Sequence, residues 1–209
     1  MKNVLIVFSG KAQAGKSTCS NLLKEILDER HRAEAYIKKG KAFPGIRSNV
    51  HIHSFAKALK QIAKEYFGWD GDKQIYMRPV LARDKTEEPI PDKGRQLLIN
   101  IGQAFRAIRP TIWVDYVINN IKKHSEDNAD EGQVYLIDDM RFKNELALAK
   151  TFDKCISIRV SRPSSLDIND ISENDLDDAE FDHYIENNGN MVMLKGTLNV
   201  LYDKIAKEL

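Results

Sequence analysis

Apolar positions along this 209-residue chain fall into two kinds of block. Val4-Leu5-Ile6-Val7-Phe8 is a continuous apolar run, the pattern of a strand covered on both faces. From residue 16 to about residue 30 the period changes to 3.6, with Leu22, Leu23, Ile26 and Leu27 on one face of a helix. A short strand near 50–54 leads into a helix that turns Phe55, Leu59, Ile62 and Tyr66 inward and stops before Gly68. Two further helices, about 94–108 and 111–124, are split by Pro110. Val134-Tyr135-Leu136-Ile137 reads as a buried strand, followed by a helix from about Lys143. Strands at 156–160 and 184–186 come next, then a turn at Asn187-Asn188-Gly189 and a last helix carrying Leu198, Leu201 and Ile205. Strands alternating with helices predict an α/β fold with a mostly parallel sheet.

The segments between are polar. Residues 36–49 hold Lys38, Lys39, Lys41 and Arg47 among Gly40, Pro44 and Gly45, and read as a mobile basic loop. Residues 68–94 are broken by Pro79, Pro89 and Pro91 and read as irregular chain inserted over a site. Residues 127–132 read as a surface loop, and 167–182 are acidic and poorly periodic.

Between the first strand and the first helix stands Gly10-Lys11-Ala12-Gln13-Ala14-Gly15-Lys16-Ser17. It fits the phosphate-loop pattern G-x-x-x-x-G-K-[ST] in the strand-to-helix context that gives the pattern physical meaning. Gly10 and Gly15 let the loop turn tightly, so that backbone N–H groups, those of Ala12, Ala14 and Thr18 included, can approach phosphate oxygens. The helix start adds unpaired N–H donors and the positive end of a dipole. Lys16 brings a charge for the β- and γ-phosphates, and the Ser17 hydroxyl is placed to ligate Mg²⁺. Such a loop at the carboxyl end of a strand predicts ATP with Mg²⁺.

Composition narrows the classes. With 32 basic and 31 acidic residues the net charge is +1, so no bulk field draws the chain to nucleic acid or to an anionic membrane. Cys19 and Cys155 form no C-x-x-C pair, and neither a zinc site nor a disulfide framework follows. The chain opens on a strand pattern with no signal peptide and no apolar run long enough to span a bilayer, which predicts a reduced cytoplasmic protein. Both a monomer and a homodimer stay open.

Other residues cluster around the loop's chemistry. Asp138 and Asp139 follow a buried strand, where an acid holds Mg²⁺ directly or through water; Asp139 is the first choice. Arg141 can reach a phosphate or pair with Glu145. On the helix at 94–108, Leu97, Leu98, Ile101, Phe105 and Ile108 share one face, while Arg95, Arg106 and Arg109 cluster to the side with Gly102 among them. Three guanidiniums around a residue without a side chain make a cradle for a monophosphate, or else a solvated face. Lys57, Lys60 and Lys64 stripe the preceding helix, and of these Lys60 is a candidate for the acceptor. Arg159 and Arg162 flank the end of the strand at 156–160, and Arg162 can neutralise a phosphoryl group in transfer. His51 and His53 face one side of a strand as ordinary polar residues. Trp113 either packs in the core or stacks on a base.

No N-K-x-D, D-x-x-G or L-S-G-G-Q occurs, which argues against a guanine-nucleotide switch and a transporter ATPase. Several runs instead carry a family resemblance. Ser54-Phe55-Ala56-Lys57-Ala58-Leu59-Lys60, Gly94-Arg95-Gln96-Leu97-Leu98 through Ile101-Gly102, Ile112-Trp113-Val114, and Ile137-Asp138-Asp139-Met140-Arg141-Phe142-Lys143-Asn144-Glu145 occur in that order. Together they resemble the phage-type deoxynucleoside monophosphate kinases. The tail Asp182-His183-Tyr184-Ile185-Glu186-Asn187-Asn188-Gly189 also looks like that of dephospho-coenzyme A kinases. The resemblance implies a P-loop NTPase three-layer sandwich, nucleoside-monophosphate-kinase-like. It would comprise a core of about 1–56 and 133–209, a helical acceptor-binding insertion of about 57–125 and a lid of about 163–183. It implies transfer of the γ-phosphoryl of ATP to a deoxynucleoside 5′-monophosphate. Lys16 and Ser17 would serve ATP, Asp139 and Arg141 the reacting phosphates, Arg95 the acceptor, and Asn187 would lie near adenine. Lys57 stands where such enzymes usually have Asp, and the segment 167–182 lacks the arginines of other lids. Phe8-Ser9-Gly10-Lys11, Ser172-Glu173-Asn174 and Phe181-Asp182 also resemble animal-type phosphomevalonate kinase, a second implied acceptor class. A third reading is a non-enzymatic nucleotide switch or a nucleic-acid-associated ATPase, supported by the basic loop.

Overall fold

The computed structural model describes residues 3–39, 48–71, 76–78, 90–92, 94–128, 132–163 and 174–207. The basic residues at 40–47, Pro79, Pro89 and the first part of the acidic segment, 164–173, lie outside these. The described chain divides into two compact units, one of residues 1–54 and 118–209 and one of residues 55–117.

The first unit is built on a five-stranded, wholly parallel sheet. Its strands are β1 (Val4–Ser9), β2 (Val50–His53), β5 (Val134–Met140), β6 (Cys155–Ser161) and β7 (His183–Glu186), in the order β2-β5-β1-β6-β7. Every residue of β1 is buried, as its unbroken apolar run predicts. Val4, Ile6, Phe8, Leu136, Ile158 and Ile185 pack on α1 (Lys16–Lys39) and on the final helix, α6 (Met191–Ile205). These two helices also meet through Arg30 over the Tyr202 ring and Lys195 with Glu25 and Glu29. On the other face Tyr135 packs against His124, from the end of α4 (Ile112–Asp127), and Phe152. Between β5 and β6 the chain crosses over β1 through α5 (Lys143–Ala149), which buries Leu146 and Ala149. The result is an α/β three-layer sandwich.

The second unit holds α2 (Ala56–Phe67), an antiparallel ribbon of β3 (Tyr76–Arg78) and β4 (Ile90–Asp92), α3 (Gly94–Ile108) and the start of α4. The α2 and α3 helices pack together, with Leu59, Ala63 and Ile101 buried. Among the described residues no helix is long and apolar enough to cross a membrane.

Four expectations are corrected. The first helix runs to Lys39, so residues 36–39 are helical and not loop. The stretch read as irregular contains the β3–β4 ribbon. Asp138 and Asp139 lie inside β5 instead of after it. Tyr66 and Ile108, expected inward, are 79% and 82% exposed. Each lies on its helix's apolar stripe but in the last turn, past the residues that cover the stripe.

Candidate phosphate-binding site

The chain leaves β1 toward β2, on the far side of β5, and leaves β5 in the opposite direction toward β6. These adjacent strands form a topological switch point, where ligands bind at the carboxyl ends of parallel strands. The phosphate loop occupies that place.

Its backbone is held by contacts specific to glycine. Gly10 has φ +151°, and a Cβ there would stand 2.2 Å from the carbonyl oxygen of Val160 on β6. Gly15 has φ +97°, and a Cβ would stand 2.5 Å from Nδ2 of Asn187. That amide nitrogen donates to the Ala14 carbonyl at 3.0 Å, while the Asn187 N–H donates to the Ser161 carbonyl at 2.8 Å. Asn187, expected beside adenine, is buried and bonded to the loop itself. Ala12 and Ala14 bury their methyl groups. The Lys16 side chain is 7% exposed, and its Nζ donates to the carbonyls of Gly10 at 2.6 Å and Lys11 at 2.9 Å. A buried ammonium needs such partners, and these fold the lysine back across the mouth of its own loop. Ser17 is exposed and Thr18 half-buried, at the amino end of α1 where N–H groups lack helical acceptors. One turn on, burial raises the Cys19 thiol to about 12, which leaves it an inert packing group.

The acid beside the loop is placed by an irregularity that sequence periodicity does not encode. Between β1 and β5, Val7 pairs with Ile137 and Ser9 with Met140. Phe8 therefore stands opposite both Asp138 and Asp139, a β-bulge of the kind that redirects side chains next to functional sites. Asp139 Oδ2 accepts from the Ser54 hydroxyl at 2.6 Å, which ties the end of β2 to the bulge. Ser54 was legible as the end of a strand and the start of a run on the following helix, not as a partner of Asp139. Exposed Ser17 and the Asp139 carboxylate are hard oxygen donors and fit Mg²⁺ in kind. Just beyond β5, Arg141 is half-buried. The Arg141 and Phe142 N–H groups donate to Glu145 Oε2 at 2.7 and 3.1 Å, so buried Glu145 caps the start of α5. Arg162 is exposed just past β6.

Beside Asn187 lies a cavity of about 250 Å³ lined by residues 186–189, Met193, Leu194 and Thr197. It combines an apolar wall with amide, hydroxyl and carboxylate groups.

The arginines of α3 and their neighbours belong to the second unit. A Cβ at buried Gly102 would meet Leu59 Cδ1 at 3.0 Å and a guanidinium nitrogen of Arg106 at 3.2 Å, so Arg106 lies over the glycine. Trp113 is buried, its ring 5.2 Å from Phe105 and its Nε1 3.4 Å from the Gly102 carbonyl. Arg95 and Lys60 are half-buried. Arg109 lies past the end of α3, with Nε 3.0 Å from Asp115 Oδ2, and faces the first turn of α4. His51 bonds Gln133 at 2.9 Å and its ring lies against that of His124 at a tilt of 57°, and among the described residues no three potential ligands gather for a metal.

No protein-family model matches the chain, and no curated protein matches it. Among solved structures it is similar to the APS kinase CysC of Mycobacterium tuberculosis, as a Cys556Ala mutant. The identity is 10% and the TM-score 0.39, over 97% of this chain and 96% of that one.

Proposed function

We propose that the protein is an ATP-dependent kinase that phosphorylates the phosphate group of a deoxynucleoside 5′-monophosphate. The observation that carries phosphoryl transfer is the loop: a buried lysine held by loop carbonyls at a helix start, with a carboxylate on the bulge of the next strand. Sequence resemblance and the cationic face around Gly102 support the acceptor.

Arg106 and Arg95 bind the acceptor phosphate, with Lys60 adding positive charge and Trp113 shaping the wall behind Gly102, while Arg109, expected in the cradle, is paired with Asp115. The acceptor is already anionic and needs no strong base. One of its oxygens bonds to the γ-phosphorus as the bond to the β–γ bridging oxygen breaks, and ADP leaves. Lys16 exchanges its carbonyl partners for phosphate oxygens, and Arg141 and Arg162 balance the charge that develops. Ser17 and Asp139 would hold Mg²⁺, which would supply charge neutralisation for the triphosphate. The cavity beside Asn187 takes the adenine, and Asn187 keeps the loop in shape beneath the phosphates.

The test is ATP consumption with Mg²⁺ against the four deoxynucleoside monophosphates, their ribose counterparts, phosphomevalonate and dephospho-coenzyme A. Turnover with a deoxynucleotide, giving the diphosphate, is the expected result. Turnover with phosphomevalonate alone changes the acceptor and keeps the chemistry, while ATP binding without any turnover favours a nucleotide switch. Lys16→Ala is expected to lower turnover by about 10²–10⁴-fold with the fold retained. Near-normal turnover in that variant overturns the assignment. Arg106→Ala is expected to raise KM for the acceptor and not for ATP.

A further inference from the structure

The acidic segment after β6 has no arginine to offer a phosphate, yet its described part, 174–182, is bonded to the loop's surroundings. Arg159, 16% exposed at the end of β6, divides its guanidinium between two partners. One nitrogen donates to the Ser9 hydroxyl at 2.9 Å, immediately before Gly10, and the other to Asp177 Oδ1 at 2.5 Å. The guanidinium carbon also lies 5.6 Å from the centre of the Phe181 ring. The second oxygen of Asp177 faces Lys11 Nζ at 3.6 Å. Lys11 is the residue whose carbonyl holds Lys16. Asp175 and Asp178 are occupied elsewhere: Asp175 accepts from the Lys143 N–H, and Asp178 pairs with Lys143 Nζ at 2.7 Å.

A single exposed ion pair contributes little. Here one carboxylate joins two cations, one of them largely buried, hydrogen-bonded and stacked, and both attach to the two residues that flank Gly10. Val160 and Asn187 constrain the loop at Gly10 and Ala14. Asp177 adds a restraint at Lys11, between them. We infer that Asp177 is a positioning residue for the phosphate loop: it fixes Lys11 and Arg159 so that the loop's N–H groups and Lys16 are preorganised for an anion. The segment 174–182 is on this view a brace, not a cationic lid. The inference rests on the reading of the loop as an ATP site.

Removing a negative charge near a phosphate site should by itself tighten ATP binding, whereas losing a brace should weaken it, so the sign decides. The full chain carrying Asp177→Asn is compared with Asp178→Asn, which removes the same charge from the neighbouring residue. ATP·Mg²⁺ affinity is read by calorimetry, and amide hydrogen exchange is read at residues 11–16. Expected are an increase in Kd of about three- to tenfold for Asp177→Asn with faster exchange in the loop, neither in Asp178→Asn, and partial recovery in Asp177→Glu. Equal or tighter binding with unchanged loop exchange in Asp177→Asn, or the same change in both Asn variants, overturns the inference. If the wild-type chain binds no ATP·Mg²⁺, the kinase reading fails instead, and loop exchange in the two variants still decides whether Asp177 is a brace.

Discussion

At Gly10 a Cβ would overlap the Val160 carbonyl at 2.2 Å, at a φ of +151° that side chains rarely adopt. The obstacle is strand backbone, which cannot swing aside as a side chain would. Gly10→Ala is therefore expected to cost at least about 1–3 kcal/mol and to abolish ATP binding. Urea unfolding and calorimetry check the two parts, and a variant with wild-type affinity would show that the loop relaxes freely. At this scale the sequence was informative where the chemistry is local. The loop residues, Lys16 and Ser17 are contiguous, and their spacing carries their geometry. Asn187 and Ser54 are another matter. Each reaches its partner, Ala14 or Asp139, across the fold, and no local pattern specifies an amide aimed at a carbonyl 173 residues earlier.

Among elements, strand and helix identities followed from hydrophobic period, and their ends did not. Tyr66 and Ile108 sit on correctly placed apolar stripes, but a stripe does not say how far its cover extends. The β-bulge that places Asp139 is a mismatch of one residue between two strands, invisible in either strand alone. The β6–β7 pairing is secured by a similarly nonlocal device. Asp182 Oδ2 accepts from the N–H and hydroxyl of fully buried Ser157, at 2.8 and 2.7 Å. Burial acts to raise the Asp182 pKa, but the Ser157 hydroxyl and N–H, with Lys150 and His183 nearby, outweigh it and hold the carboxyl below the usual aspartate range. A carboxyl with a depressed folded pKa stabilises the fold fully above its unfolded value, and that contribution is lost as pH falls through the folded value. Asp182→Ala is expected to cost about 1–3 kcal/mol at neutral pH, because buried Ser157 loses its acceptor. The deficit should shrink as pH falls below the usual aspartate range toward the depressed folded value. Denaturation midpoints measured from pH 7 to pH 3 check this, and a deficit independent of pH would place the effect in packing.

For the whole molecule, the alternation of strands and helices was enough to read a parallel α/β sheet. The β3–β4 ribbon was hidden because three prolines and a polar composition mask strands as short as three residues. Ligand binding provides a test on the same scale. If the loop takes ATP·Mg²⁺, a concentration of about 100 times Kd should add about 2.7 kcal/mol to the stability of the folded chain. That appears as a higher Tm for the wild type and no shift for Lys16→Ala. Both tryptophans, Trp69 and Trp113, lie in residues 55–117, so circular dichroism is the better probe of the sheet.

The supports of the phosphate loop have a consequence for how the protein comes into being. The loop is complete by residue 17, but the groups that shape it are Val160, Asp177 and Asn187. On a ribosome the loop is made long before these groups, and the 173 residues from Ala14 to Asn187 must follow before it has a seat. Until then a nascent chain would carry the full motif without the contacts that shape it. Competence would arrive abruptly, when β7 joins the edge of the sheet and the last of those contacts closes.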